Sequence, residues 1–75
     1  MADKPGKVEH YDKQFGIIAI EKGYISAENL IDGLKTQVEE DIQNNTHRLI
    51  GEILVDKGHM TLSQVDDVIT EIFPG

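Results

Sequence analysis

Three histidines and one block of acids are the residues with the most obvious chemical potential. His10, His47 and His59 are the only histidines. No two of them share the i, i+4 spacing that sets two imidazoles on one helix face, and none sits in a carboxylate pattern typical of a metal site. Glu39-Glu40-Asp41 is an acidic run without an EF-hand loop around it, which reads as a solvated helix end. The chain has no Cys, so a thiolate nucleophile, a disulfide framework and a Cys-based zinc site are all excluded. There is no Gly-rich phosphate loop and no Ser in a nucleophile elbow. Carboxylates are so plentiful that two close together say nothing about acid–base catalysis. Asn44-Asn45-Thr46 matches a glycosylation sequon, a pattern without weight where no secretion signal accompanies it. The expectation is a protein that is not an enzyme, with no metal and no cofactor.

Charge and length narrow the classes further. Seventy-five residues allow one domain, with little apolar surface to spare. Fourteen acids against seven bases leave a formal charge of −7, which repels phosphate backbones and anionic lipid alike. Two Phe, two Tyr and no Trp mean that Ile, Leu and Val must build the core. No stretch resembles a signal peptide or approaches the ~18 apolar residues of a membrane span, so a cytoplasmic location without membrane insertion is expected.

The elements that position these residues follow from an internal repeat. Phe15 to Gln37 aligns with Ile50 to Ile72 at an offset of 35 residues. Gly16/Gly51, Ile18/Ile53, Lys22/Lys57, Gly23/Gly58 and Asp32/Asp67 are identical pairs. Ile20/Val55, Glu21/Asp56, Ile25/Met60, Ser26/Thr61, Leu30/Val65 and Leu34/Ile69 are conservative ones. His59 takes the place of Tyr24, which suggests a role in packing the turn.

Each copy reads as helix, turn, helix. A first helix from about Asp12 to Lys22 carries Phe15, Ile18 and Ala19 on one face, and Leu49, Ile50, Ile53 and Leu54 are the counterpart. Gly23 and Gly58 sit where helices end in a left-handed residue. Ser26 and Thr61 are N-caps, Thr61 with Gln64 as a full capping box, and Ile25–Leu30 and Met60–Val65 are hydrophobic staples. Leu30, Ile31, Leu34, Val38 and Ile42, and then Val65, Val68, Ile69, Ile72 and Phe73, follow helical spacing, which gives each second helix an apolar face. Pro74 stops the last helix. Asn44-Asn45 marks a turn between copies.

The predicted fold is therefore mainly α, with two pseudo-symmetric helix–turn–helix repeats (about 12–43 and 48–73) packed as a small four-helix domain over 10–75. Residues 1–9 read as a flexible tail. Short β segments are the rival at the Ile-rich runs Phe15–Ile20 and Ile53–Val55, because periodicity alone does not separate a buried strand from a buried helix. Gly16 and Gly51 fall inside the first helices, where Gly costs about 1 kcal/mol relative to Ala. Either two helices pack closely there or a ligand approaches the backbone.

Gly16 followed by Lys22-Gly23-Tyr24-Ile25-Ser26, then Leu30, Leu34 and Gln37, resembles the N-terminal domain of bacterial type II secretion and type IV pilus assembly ATPases. Ile50-Gly51-Glu52-Ile53-Leu54-Val55-Asp56-Lys57-Gly58, with Thr61 and Gln64, is similar to it again. The resemblance spans about residues 14 to 72. It implies a domain that docks on a membrane-anchored partner or senses a signal, and in one branch a pair of motifs that binds cyclic di-GMP. Each such motif reads Arg-Leu-Gly, Leu three residues on, then two Leu and a final Gln. By that resemblance the ligand contacts here are Gln14, Gly16, Gln37, Arg48 and Gly51. The chain departs from the pattern at Gln14 and Leu49, where Arg is expected, and at Ile72, where Gln is expected; Arg48 stands one residue early. The family's ATPase activity resides in a separate domain and does not transfer.

Three functions follow as expectations. The leading one is a non-catalytic interaction or regulatory module, a protein–protein adaptor whose partner is unknown, with a docking surface among Ile17, Ile20, Val55 and Phe73 if these stay exposed. The second is a cyclic di-GMP or other nucleotide sensor. The third is a helix–turn–helix DNA reader, disfavoured because Ala27 to Gln37 offers only Lys35, Asn29 and Gln37, and Thr61 to Ile72 has no base. A homodimer is an option for so small a core.

Overall fold

In a computed structural model, which describes residues 6–74, each Lys-Gly pair ends a helix as its sequence demands. The helices are α1 (Gly6–Glu21), α2 (Ala27–Asn44), α3 (Ile50–Asp56) and α4 (Leu62–Ile72). Gly23 and Gly58 adopt φ of +80° and +81°, which a side chain would disfavour. Tyr24 N–H reaches Ala19 O at 3.0 Å and Gly23 N–H reaches Ile20 O at 2.9 Å, closing a Schellman motif. His59 to Leu54 and Gly58 to Val55 repeat it at 2.9 and 3.0 Å.

Both second helices start at capping boxes. Thr61 and Gln64 exchange bonds of 3.0 and 3.1 Å as expected. Ser26 does the same with Asn29 at 3.0 and 3.1 Å, because an Asn side chain at this third position does the work of Gln. Asn45, left-handed at φ 55°, ends α2 and turns the chain toward the second copy.

Two expectations are corrected at the helix level. α1 begins at Gly6 rather than near Asp12, since the residues between them, Lys7 to Tyr11, include no Gly or Pro to stop a helix. Residues 6–9 of the expected tail are thus helical, and 1–5 lie outside the described residues. The β alternative fails: Phe15–Ile20 lies within α1 and Ile53–Val55 within α3, with no strand among the described residues.

The packing is reciprocal. α1 lies against α4 and α3, and α2 lies against α3. The first helix of each repeat therefore packs on the second helix of the other, and α1 crosses α3 at the centre. Phe15 and Ala19 from α1, Ile50, Ile53 and Leu54 from α3, and Val68 from α4 are fully buried, with Ile25 and Met60 closing the ends from the two turns. Phe15 and Ile50, and likewise Ala19 and Leu54, are equivalent positions of the repeat, so the core is built twice from one pattern.

α2 breaks the pattern. Its buried residues are Gly33 and Gln37. A Cβ on Gly33 would stand 3.0 Å from Leu54 Cδ2 and 3.1 Å from Ile50 Cδ1, so the missing side chain is what lets α3 approach. With that small, polar face turned inward, most of the apolar stripe points outward. Leu30 still packs against the core, but Ile31, Leu34, Val38 and Ile42 are 57%, 37%, 54% and 77% exposed.

Candidate functional site

Two polar constructions link the helices and engage two of the three histidines. The first is a buried hub around Asp12, which is 5% exposed, and Gln37, which is 7% exposed. Gln37 Nε2 donates to Asp12 Oδ2 and to the Arg48 carbonyl, both at 2.8 Å. Asp12 Oδ1 accepts Ile50 N–H at 3.3 Å. Leu49 at the N-cap of α3 has no side chain able to satisfy the first amides, so a carboxylate from α1 caps α3 across the molecule. His47 Nε2 adds a contact to Asp12 at 3.6 Å, and its Nδ1 lies 3.1 Å from Asp41. The hydrogen bond to Asp41, and the charges of Asp41 and Asp12, hold the His47 imidazolium above the usual histidine range despite partial desolvation.

The second construction is a pair of equivalent clamps. Lys22 lies 3.2 Å and Lys57 3.3 Å from the Asp of the opposite repeat, Asp67 and Asp32 respectively. The Tyr24 hydroxyl donates to Asp67, and His59 Nε2 meets Asp32 at 3.0 Å. Tyr24 and Lys22 hold the Asp67 carboxyl below its ordinary value; His59 and Lys57 do the same for Asp32. His59 thus packs in the turn slot of Tyr24, as its place in the repeat suggests.

Of the residues singled out by resemblance, Gln37 and Arg48 are brought together, through the Arg48 carbonyl. Gly16 and Gly51 are close-packing positions: a Cβ on Gly16 would meet Leu30 Cδ2 at 2.7 Å, and one on Gly51 would meet Phe15 Cζ at 3.0 Å. Gln37 is committed to the buried hub. Arg48 touches Gln37 through its carbonyl only; its guanidinium forks onto Glu40 at 3.0 and 2.7 Å and also binds Asp56. These carboxylates raise the Arg48 pKa, and Arg48 depresses that of Glu40. Gln14 is exposed on α1, in a shallow depression with His10, Lys13, Ile17 and Ile18. Nothing local in the sequence distinguishes Asp12: its role depends on a helix that starts 38 residues later.

What remains open is the outer face of α2. Ile31, Leu34 and Val38, with Lys35 and Glu39, line a shallow apolar groove, and Ile42 extends the same face one turn on. The surface candidates from α1 and the chain's end separate. Ile17 and Phe73 are exposed at 46% and 63%, whereas Ile20 and Val55 pack against the core. Phe73 is stacked on Tyr11, with centroids 6.0 Å apart. Among the described residues no group of three His, Asp or Glu side chains is arranged to hold a metal, and no helix is long and apolar enough to cross a membrane. In comparisons with known proteins, no family model, curated protein or solved structure matches the chain.

Proposed function

We propose that this protein is a non-catalytic interaction module that docks a protein partner on the exposed apolar face of α2. One observation carries the reading. At the position equivalent to Ile31 the second repeat holds Asp66, so this fold accommodates a charge there and does not need an isoleucine. An apolar side chain 57% exposed at a place where its own repeat partner is charged serves something outside the domain. The resemblance to the secretion and pilus ATPase N-terminal domain is compatible with the same reading, since it implies a domain that docks on a partner or senses a signal.

The test is a photo-crosslinking residue at position 38, with position 43 on the polar side of α2 as the comparison, in cells that make the protein. A discrete adduct from position 38, absent from position 43 and lost when Ile31→Asp is added, supports docking on this face. Adducts of equal yield from both positions, or none from either, end it. A calorimetric titration with cyclic di-GMP, with GTP as control, separates the nucleotide reading. Saturable, selective heat there would replace docking with second-messenger sensing and require Arg48 to leave Glu40 and Asp56.

A further inference from the structure

The stripe on α2 has a shape and a charged border that together specify its occupant. Ile31, Leu34, Val38 and Ile42 recur at steps of three, four and four residues, the seam along which one helix packs on another. From Ile31 to Ile42 the seam runs ~16 Å, about three helical turns. A helix laid along it meets whole turns of side chains; an extended strand would find no free backbone to pair with, because the amides of α2 bond within the helix.

The border is acidic. α2 carries Glu28, Asp32, Glu39, Glu40 and Asp41 against the single base Lys35. Asp32, Glu40 and Asp41 are engaged by Lys57 and His59, by Arg48 and by His47. Glu28, Glu39 and Lys35 share one side of the stripe and make no ion pair among the described residues; Lys35 and Glu39 line the groove itself, and the two acids leave this border net negative. A second copy of this chain would set −7 against −7. Anionic lipid and nucleic acid meet the same repulsion.

We infer that the stripe receives an amphipathic helix with basic flanks, contributed by another protein. The inference rests on the docking reading above and adds the chemistry of the partner. Apolar residues of the incoming helix cover Ile31, Leu34, Val38 and Ile42, and its Lys or Arg side chains fall beside Glu28 and Glu39. Charge then sets selectivity and association rate, while apolar burial supplies the affinity.

The experiment uses the full chain and two fluorescein-labelled synthetic helices of about three to five turns. They share one leucine seam and differ only in flanks of Lys or of Glu. Anisotropy should show saturable binding of the Lys-flanked peptide, weaker by about tenfold when salt rises from low to near-molar levels. The Glu-flanked peptide, with the same seam, should bind more weakly by about tenfold or more. Ile31→Asp and Val38→Asp, at exposed sites where folding is checked by circular dichroism, should abolish binding. Glu28→Lys with Glu39→Lys should reverse the preference between peptides without touching the seam. Equal binding of both peptides, lost on Ile31→Asp, would end the basic-partner inference and leave the docking face standing. Binding unchanged by Ile31→Asp and Val38→Asp, or no binding of either peptide, overturns the helix-on-stripe proposal. So does sedimentation as a dimer that Ile31→Asp dissociates, since a second copy would then fill the stripe.

Discussion

Lys22 Nζ lies 3.2 Å from Asp67 Oδ2, joining the turn of the first repeat to the second helix of the other. Lys57 and Asp32 return the contact at 3.3 Å. Two of the five identities in the internal repeat, Lys22/Lys57 and Asp32/Asp67, are thereby one interaction made twice. Reciprocal exchange of this kind leaves neither repeat able to bury its faces alone. Asp32→Asn and Asp67→Asn should each lower the melting temperature slightly, because both pairs are partly exposed and screened. The clamps share no partner, so the double variant should lose the sum of the two. A loss much larger than the sum would show that the clamps act as one unit.

The three buried glycines should respond differently to alanine. Each substitution gains about 1 kcal/mol of helix propensity and introduces a methyl that its neighbours must accommodate. At Gly16 the obstacle is the tip of Leu30, which is only half-buried and has room to turn aside. At Gly51 it is the ring of Phe15, and at Gly33 it is Leu54 and Ile50, all fully buried. Gly16→Ala should therefore be close to neutral, while Gly51→Ala and Gly33→Ala should be destabilised, by up to about 2 kcal/mol net of the propensity gain. Denaturant melts give the order; a Gly51→Ala variant as stable as Gly16→Ala would refute the close approach of α1 and α3.

Asp12 and Gln37 support α3 from outside it. Asp12→Ala would leave the Ile50 amide and one Gln37 amide proton without their buried acceptor, a loss of about 1–3 kcal/mol. The loss should be uneven. Amide exchange in the first turn of α3 should quicken more than in α4, which keeps its own capping box. Uniform acceleration across all four helices would mean that the carboxylate stabilises the fold generally rather than capping one helix.

What the sequence discloses is whatever is encoded locally. Gly23, Gly58, Ser26 and Thr61 mark their turns within four residues, and all four do what their residue types dictate. The side facing inward is encoded at a distance. Spacing put Ile31, Leu34 and Val38 on one face of α2, but Gly33 decided that the opposite side would meet Leu54 and Ile50. A glycine in a polar-looking stretch carries no hydropathy signal, so the orientation of α2 was hidden and the open stripe with it. Gln37 and Arg48 stand out by resemblance alone, and the fold binds both to internal partners. Asp12 required knowledge of where α3 begins.

Stability should depend on pH in two opposite directions. The folded-state pKa of His47 is raised above its ordinary value of 6.5, first by the hydrogen bond to Asp41 and then by the charges of Asp41 and Asp12. A raised pKa contributes stability that is fully present below the unfolded value and lost as pH rises through the folded one. Asp32, Glu40 and Asp67 have depressed pKa values through their bonds to His59, Arg48 and Tyr24. Their contribution is present above the ordinary carboxylate values of 3.8 and 4.5 and lost as pH falls through the folded ones. Both sets act together only between those windows, so the melting temperature should peak in mildly acidic solution and decline on the neutral side. His47→Gln removes the titrating group while keeping a hydrogen-bonding side chain beside Asp41. It should flatten the decline above pH 6.5 and leave the acid limb unchanged. A neutral-side slope that survives in His47→Gln would assign it to a different group and show that the His47 contacts with Asp41 and Asp12 do not bear on folding.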